Sequence, residues 1–155
     1  MEYQNILFEV KGGVAYITLN NPEKRNPINI DTGRELEDCF NICDYDDDIR
    51  MLVIRGAGGN FSGGGDINVM KKRIDAGIRG TRPVCRQLAQ TNLRLRNVKK
   101  PTLAYIEGAV AGAGIALAMA CDFQIIDEKS KCLFAFVNLG FVPDSGATYF
   151  VTRAI

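Results

Sequence analysis

Two stretches of the chain are almost bare of side chains: "FSGGGDI" at 61–67 and "AVAGAGIA" at 109–116. Each lies between an apolar run that reads as a buried strand and a segment that reads as the start of a helix. Backbone N–H groups in the first turn of a helix have no intrahelical partner, and the helix dipole adds to their pull on anionic oxygen. Small residues let a ligand approach that backbone. Two such ends facing one another are equipped to hold one oxyanion. Either loop alone also fits a plain tight turn or a close-packed Gly/Ala helix. Neither carries a nucleotide signature: "GGNFSG" lacks the lysine of a phosphate loop, and "GAVAGAGIA" runs GxxxGxG instead of GxGxxG.

Amide dipoles move no protons, so an acid or base must come from elsewhere in the chain. There is no histidine, which removes Ser-His-Asp and Cys-His nucleophiles and leaves proton transfer to a carboxylate, Tyr, Lys or Cys. Asp144 in "VPDSGATY" has apolar neighbours in Leu139, Phe141 and Val142; burial among them would raise its pKa and strengthen it as a base. The same aspartate, followed by "SGATYF", is also a good helix N-cap. Read from the residues alone, both roles stay open. Asp66 reads as a cap or a support of the ligand loop, Glu107 as structural, Tyr149 as core, and Ser145 has no base to activate it. The five cysteines (Cys39, Cys43, Cys85, Cys121, Cys132) are odd in number and lack CxxC spacing. They read as reduced packing residues, with no metal site or disulfide framework.

The elements that must position these groups follow from the apolar pattern. "ILFEV" (6–10) and "VAYITLN" (14–20) form a hairpin across the turn signal "KGG". A helix opens at Asp31 as N-cap, or at Thr32 and Glu35 as a capping box, and aligns Leu36, Phe40 and Cys43 on one face. "MLVIRG" (51–56) has the continuous apolar run of a strand covered on both faces. A long helix spans about Pro83 to Asn97, with Val84, Leu88, Thr91 and Leu95 at helical spacing, and "KKP" ends it before the strand "TLAYIEG". Strand "FQIID" (123–127) follows the second glycine loop. The alternation of strand and helix implies an α/β fold with a largely parallel sheet. No repeat or linker divides residues 1–155, which read as one domain. The last residues, "ATYFVTRAI", stop inside a helical pattern without a cap, so the chain reads as cut short.

Of the 155 residues, 46% are hydrophobic and 24% charged, enough to bury a real core. Nineteen Lys+Arg against eighteen Asp+Glu give a net charge of +1, which argues against a nucleic-acid partner. The N-terminus shows no secretory pattern and no apolar run is long enough to cross a bilayer, so neither a membrane nor export is expected and the reading is cytoplasmic.

Taken together, "LNNPEKRNPIN", "NFSGGGDI", "IEGAVAGAGIALAMACDF" and "FVNLGFVPDSGATYF" resemble, in order and separation, the enoyl-CoA hydratase/isomerase (crotonase) family, from near residue 5 to the C-terminus. In motif they are most similar to the ring-epoxide isomerases of phenylacetyl-CoA breakdown. The resemblance implies a spiral core of repeated β-β-α units whose C-terminal helical part is absent here, and homotrimers or dimers of trimers in the full-length chain. It implies an acyl-CoA thioester substrate whose oxygen is held as an enolate by the amides of Gly65 and Ala113, with Gly64 and Gly112 beside them. It places adenine and pantetheine contacts at Lys24, Arg25, Pro27, Asp66, Ile67 and Asn68; for Lys24 and Arg25 a solvated charge pair is an equal alternative. Coenzyme A enters as part of the substrate, with no separate cofactor. The two glutamates of the family's hydratases fall on Ala116 and Phe136, so the resemblance favours an isomerase with Asp144 as the base. Hydration, or a non-catalytic acyl-CoA-binding or assembly role, is the alternative.

Overall fold

The computed structural model describes residues 2–78 and 80–154. In the "KGG" turn, Gly12 and Gly13 sit at φ +58° and +80°, the pair of positive φ values whose twist matches that of a two-residue hairpin. Strand β1 (Ile6–Lys11) therefore folds back antiparallel on β2 (Val14–Leu19), with Lys11 opposite Val14. Helix α1 (Ile30–Tyr45), β3 (Met51–Gly56), α2 (Ile67–Asp75), α3 (Arg82–Arg96), β4 (Thr102–Ile106), β5 (Ala109–Ala111), α4 (Ala113–Ala120), β6 (Phe123–Ile126), β7 (Lys131–Leu133) and α5 (Ala147–Ala154) follow, with 3₁₀ turns at Pro22–Lys24 and Val137–Leu139.

The main sheet has the order β1-β2-β3-β4-β6 and is parallel from β2 onward. A second layer pairs β5 with β7, and single parallel bridges from Ser62 to Val110 and from Ile28 to Gly65 extend it. Its order, Ile28, residues 62–65, β5, β7, repeats that of β2, β3, β4, β6. Each turn of the chain thus lays one strand in the main sheet and one extended stretch in the second layer before its helix. This is the expected β-β-α spiral, and both glycine loops belong to its second layer.

The core forms where strand alternation meets helix periodicity. Ala15, Ile17 and Leu19 of β2, Leu52 and Ile54 of β3, and Ala104 and Ile106 of β4 are buried against Leu36, Cys39, Phe40 and Cys43 of α1 and Leu88 and Leu95 of α3. Contrary to the reading of "MLVIRG", β3 is sealed on that face alone. On the other, Met51 and Val53 are only half-covered, and Arg55 bonds Thr18 Oγ1 at 3.0 Å and lies over the Tyr16 ring. Helix α4, AGIALAMA, is buried at seven of its eight positions, as an all-round apolar helix must be.

One cap differs from expectation. Asn29, not Asp31, caps α1: its Oδ1 accepts from Thr32 N at 2.9 Å, and Thr32 Oγ1 accepts from Asn29 N in return. Glu35 takes no part; it accepts from Gln4 N and from both nitrogens of Asn5 at 2.9–3.1 Å, tying the N-terminus to α1. A carboxylate with backbone donors from another segment in reach is better satisfied there than in a local box.

Candidate active site

The first glycine loop is held from beneath by polar side chains. Asn26, at φ +51° and 1% exposed, donates through Nδ2 to Ala57 O and Asn60 O at 2.9 and 2.8 Å and accepts at Oδ1 from Asn21 N. Ser62, fully buried, donates from Oγ to Asn26 O at 2.7 Å and accepts from Gly64 N at 3.1 Å. Gly63 N donates to Arg25 O, and Gly64 O accepts from Ile28 N. These bonds hold the loop, and the one from Ile28 N to Gly64 O fixes the peptide that carries Gly65 N.

The second loop is clipped to the first by Ala111 N donating to Ser62 O and Ser62 N donating to Ala109 O. Gly114 lets α4 approach closely: a Cβ there would stand 2.7 Å from Ser62 Cβ. The two loops meet at Gly64, φ +94°, where an added Cβ would lie 2.8 Å from Ala111 O and 3.5 Å from Ala113 N. Neither Gly65 N nor Ala113 N donates to an acceptor among the described residues. The structure thus brings the two predicted amides to adjoining loops with their hydrogen bonds unmade.

Both amides line a cavity of about 410 Å³. Gly64, Gly65, Gly112, Ala113 and Asp144 share its wall, and its apolar side comes from Ile67, Val69, Met70, Ile74, Ile78, Val84, Leu88, Phe136 and Phe141. Several of these lie in or next to "KKRIDAGIRGTRP", the unpatterned stretch; Arg79 within it is outside the described residues, as is the side chain of Leu139. A second pocket of about 300 Å³ adjoins it. Lys24, Arg25, Pro27, Asp66, Ile67 and Asn68 line it together with Gly63 and Gly65, so the residues assigned to the coenzyme form one surface beside the cavity. Arg25, at φ +58°, caps the 3₁₀ turn of Pro22–Lys24.

Three carboxylates line the cavity, and their partners separate them. Asp31 is exposed and pairs with Arg34 at 3.2 Å. Asp66 caps α2, accepting from Asn68 N and Val69 N at 3.0 and 3.1 Å. Asp144, half-buried, accepts from Cys85 Sγ at 3.0 Å on Oδ2 and from Ser145 Oγ at 2.8 Å on Oδ1. Its side chain does not cap α5: Ala147 N, the first amide of that helix, donates to the backbone oxygen of Asp144 at 2.8 Å, Tyr149 N and Phe150 N donate to Gly146 O, and the Asp144 carboxylate takes no backbone N–H among the described residues. The cap reading of Asp144 is therefore corrected, because Ser145 at φ +55° turns the chain before the helix begins. Asn92, 3% exposed, holds that turn by donating to Ser145 O at 2.8 Å.

Cys85, Asn26 and Asn92 carried no signal in the sequence, since each acts on a residue at least 30 positions away or on backbone set by tertiary contact. Burial, and then the hydrogen bond to Asp144, pushes the Cys85 thiol up from its ordinary value, which keeps it a donor. Ala116 and Phe136, the positions at which the resemblance implies the hydratase glutamates, pack with Ala147 in a small apolar cluster, and Phe136 is 7% exposed. Among the described residues no group of three or more His, Cys, Asp or Glu could hold a metal, and no helix is long and apolar enough to cross a membrane.

A family model described as enoyl-CoA hydratase/isomerase matches residues 9–155. A trans-2-decenoyl-acyl-carrier-protein isomerase of Streptococcus mutans is 36% identical over 100% of this chain and 59% of its own length. A 1,2-epoxyphenylacetyl-CoA isomerase of Escherichia coli is 35% identical over 96% of this chain and 57% of its own. Among solved structures, an enoyl-CoA hydratase from Polaromonas superposes with a TM-score of 0.90 at 28% identity, over 97% of this chain and 58% of that one. The chain thus spans less than two thirds of the relatives it matches.

Proposed function

The chain belongs to the enoyl-CoA hydratase/isomerase family, and on that premise we propose that it isomerises an enoyl-CoA through an enolate held by Gly65 N and Ala113 N, with Asp144 carrying the proton. The thioester oxygen, placed between the two amides, gains charge as a proton leaves the α-carbon of a 3-enoyl thioester; each such donor is worth about 3 kcal/mol of barrier in comparable sites. Asp144 takes that proton and returns it to the γ-carbon, so the double bond moves into conjugation and no water is consumed. Lys24, Arg25, Pro27, Asp66, Ile67 and Asn68 hold the coenzyme in the adjoining pocket. No cofactor beyond the coenzyme of the substrate is required. A cytoplasmic location and a homo-oligomeric full-length protein belong to the same proposal.

The observation that carries the choice of isomerisation is the apolar cluster of Ala116, Phe136 and Ala147. Hydration needs groups that hold a water and feed it a proton; of these three residues only Phe136 lines the cavity, and none has a polar side chain to do either. The test is to give the full-length protein 3-enoyl-CoA and 2-enoyl-CoA separately. Conversion of the first to the conjugated 2-enoyl thioester, with no 3-hydroxyacyl product from the second, is the expected result. Turnover of only the 2-enoyl substrate, to a 3-hydroxyacyl-CoA, makes it a hydratase. Tight binding without turnover makes it an inert acyl-CoA binder. Since one relative is named for an acyl-carrier-protein thioester, both carriers belong in the assay.

A further inference from the structure

We propose that Cys85 is a positioning residue that holds the Asp144 carboxylate toward the cavity and serves it in both protonation states. The inference rests on the reading of Asp144 as the base. Cys85 lies in the first turn of α3, where Cys85 N donates to Thr81 O, and both Cys85 and Asp144 line the cavity. Their contact, 3.0 Å across 59 residues of chain, fills Oδ2, while Ser145 Oγ fills one position on Oδ1 at 2.8 Å. A carboxylate with one donor on each oxygen cannot rotate freely and keeps its remaining lone pairs for substrate.

The two donors differ in kind. A hydroxyl is a full donor, whereas a thiol is a weak donor and also a weak acceptor. Oδ2 is therefore the less satisfied oxygen and the one to receive the proton taken from carbon. When it does, the new O–H faces the substrate carbon to which the proton returns, while Cys85, keeping its own proton throughout, still donates to the other lone pair of Oδ2. A base that must take a proton and give it back is served by a partner that fits both forms. Alanine or valine at 85 fits neither.

The ionisable groups around this pair are few. α3 carries Arg82 and Arg86 beside Cys85, and α5 carries Tyr149 and Arg153, which stack on each other at 3.9 Å. α4, packed between α3 and α5, brings none. Asp31, Arg34, Asp66 and Arg73 complete the charged lining of the cavity. A change in the acid limb of the pH–rate profile on altering Cys85 therefore reports the contact to Asp144.

The experiment compares Cys85→Ala, Cys85→Ser and Asp144→Asn in the full-length protein, each checked for folding by its melting temperature. Cys85→Ala is expected to lower kcat roughly ten-fold with little change in KM, because a hydrogen bond to a charged group is lost. It should also move the acid limb up by about one pH unit, since the charged carboxylate loses a donor. Cys85→Ser should restore both. Independently of turnover, Asp144→Asn should speed alkylation of Cys85 at fixed pH, since the carboxylate that raises the thiol's pKa is gone. Wild-type kcat and pH profile in Cys85→Ala, with Asp144→Asn inactive, would overturn the role of Cys85 alone; an active Asp144→Asn would overturn the reading of Asp144 itself. If Cys85→Ala fails to fold, Cys85→Ser and the alkylation rate decide: no change of rate in Asp144→Asn contradicts the contact.

Discussion

With one oxygen on a thiol and the other on a hydroxyl, the Asp144 carboxylate is placed by side chains and takes no backbone N–H among the described residues. Gly64 does comparable work without a side chain. It holds φ +94° where a Cβ would press on Ala111 O at 2.8 Å, so Gly64→Ala should destabilise the protein by about 1–2 kcal/mol and push the two loops apart. With the amides misplaced, kcat/KM should fall about 10²-fold; wild-type kinetics in this variant would show that the amides do not act together. The cysteines give a check that needs no substrate. Burial pushes Cys39 up to about 12 and Cys43 to about 11, and raises Cys121 further, whereas Cys132 is exposed. Reaction requires the thiolate, so mass spectrometry after brief alkylation of the native protein should find Cys132 labelled first, Cys85 more slowly, and the other three only after unfolding.

Among the elements, α1 and α3 pack with a polar seam beside their apolar contact. Arg94 of α3 meets Asp44 at 2.7 Å, Lys99 N donates to the same carboxylate at 2.8 Å, and Thr91 donates to Glu37 at 2.6 Å. Against the cost of burial, the Lys99 amide and Arg94 hold the Asp44 carboxyl below its ordinary value of 3.8. A depressed folded-state pKa stabilises above the unfolded value and is lost as pH falls through the folded one. Thermal melts should therefore lose stability once the pH drops below about 4, and Asp44→Asn should be less stable at neutral pH yet flatter across that range. Similarly, Asn29→Ala should cost about 1 kcal/mol by removing the α1 cap, and Asn29→Asp should not.

These same elements show what the residue pattern could reveal. The hairpin, the long helix to within a residue at each end, and both strand-to-helix glycine loops were legible because each depends on local turn chemistry or on periodicity. The cap of α1 was misread because Glu35 is drawn to the backbone of Gln4 and Asn5, a contact no local pattern encodes. Asp144 stood out in the residue pattern as base or cap, and its release from capping depends on the turn at Ser145 and its anchor at Asn92. Cys85 had only its residue type to offer until the fold carried it to Asp144.

For the whole molecule, the spiral explains why chemistry gathers at one place. The second layer lies in the same strand order as the main sheet, so successive turns pair Ile28 with Gly65 and Ser62 with Val110 and bring loops 24–28, 62–68 and 109–113 together without any long-range motif. The edge strand β6 leaves Phe123 59% and Ile125 52% exposed.

If Asp144 moves the proton while the two backbone amides hold the enolate, proton exchange in deuterated water must depend on its carboxylate. Wild-type protein incubated with an enoyl-CoA should wash deuterium into the α- and γ-positions, read by mass spectrometry of the recovered thioester. Asp144→Asn retains the shape of the side chain and should still bind the thioester, yet should lose exchange by about 10²–10⁴-fold, the usual worth of a positioned acid–base group. Exchange at the wild-type rate in Asp144→Asn would contradict the account.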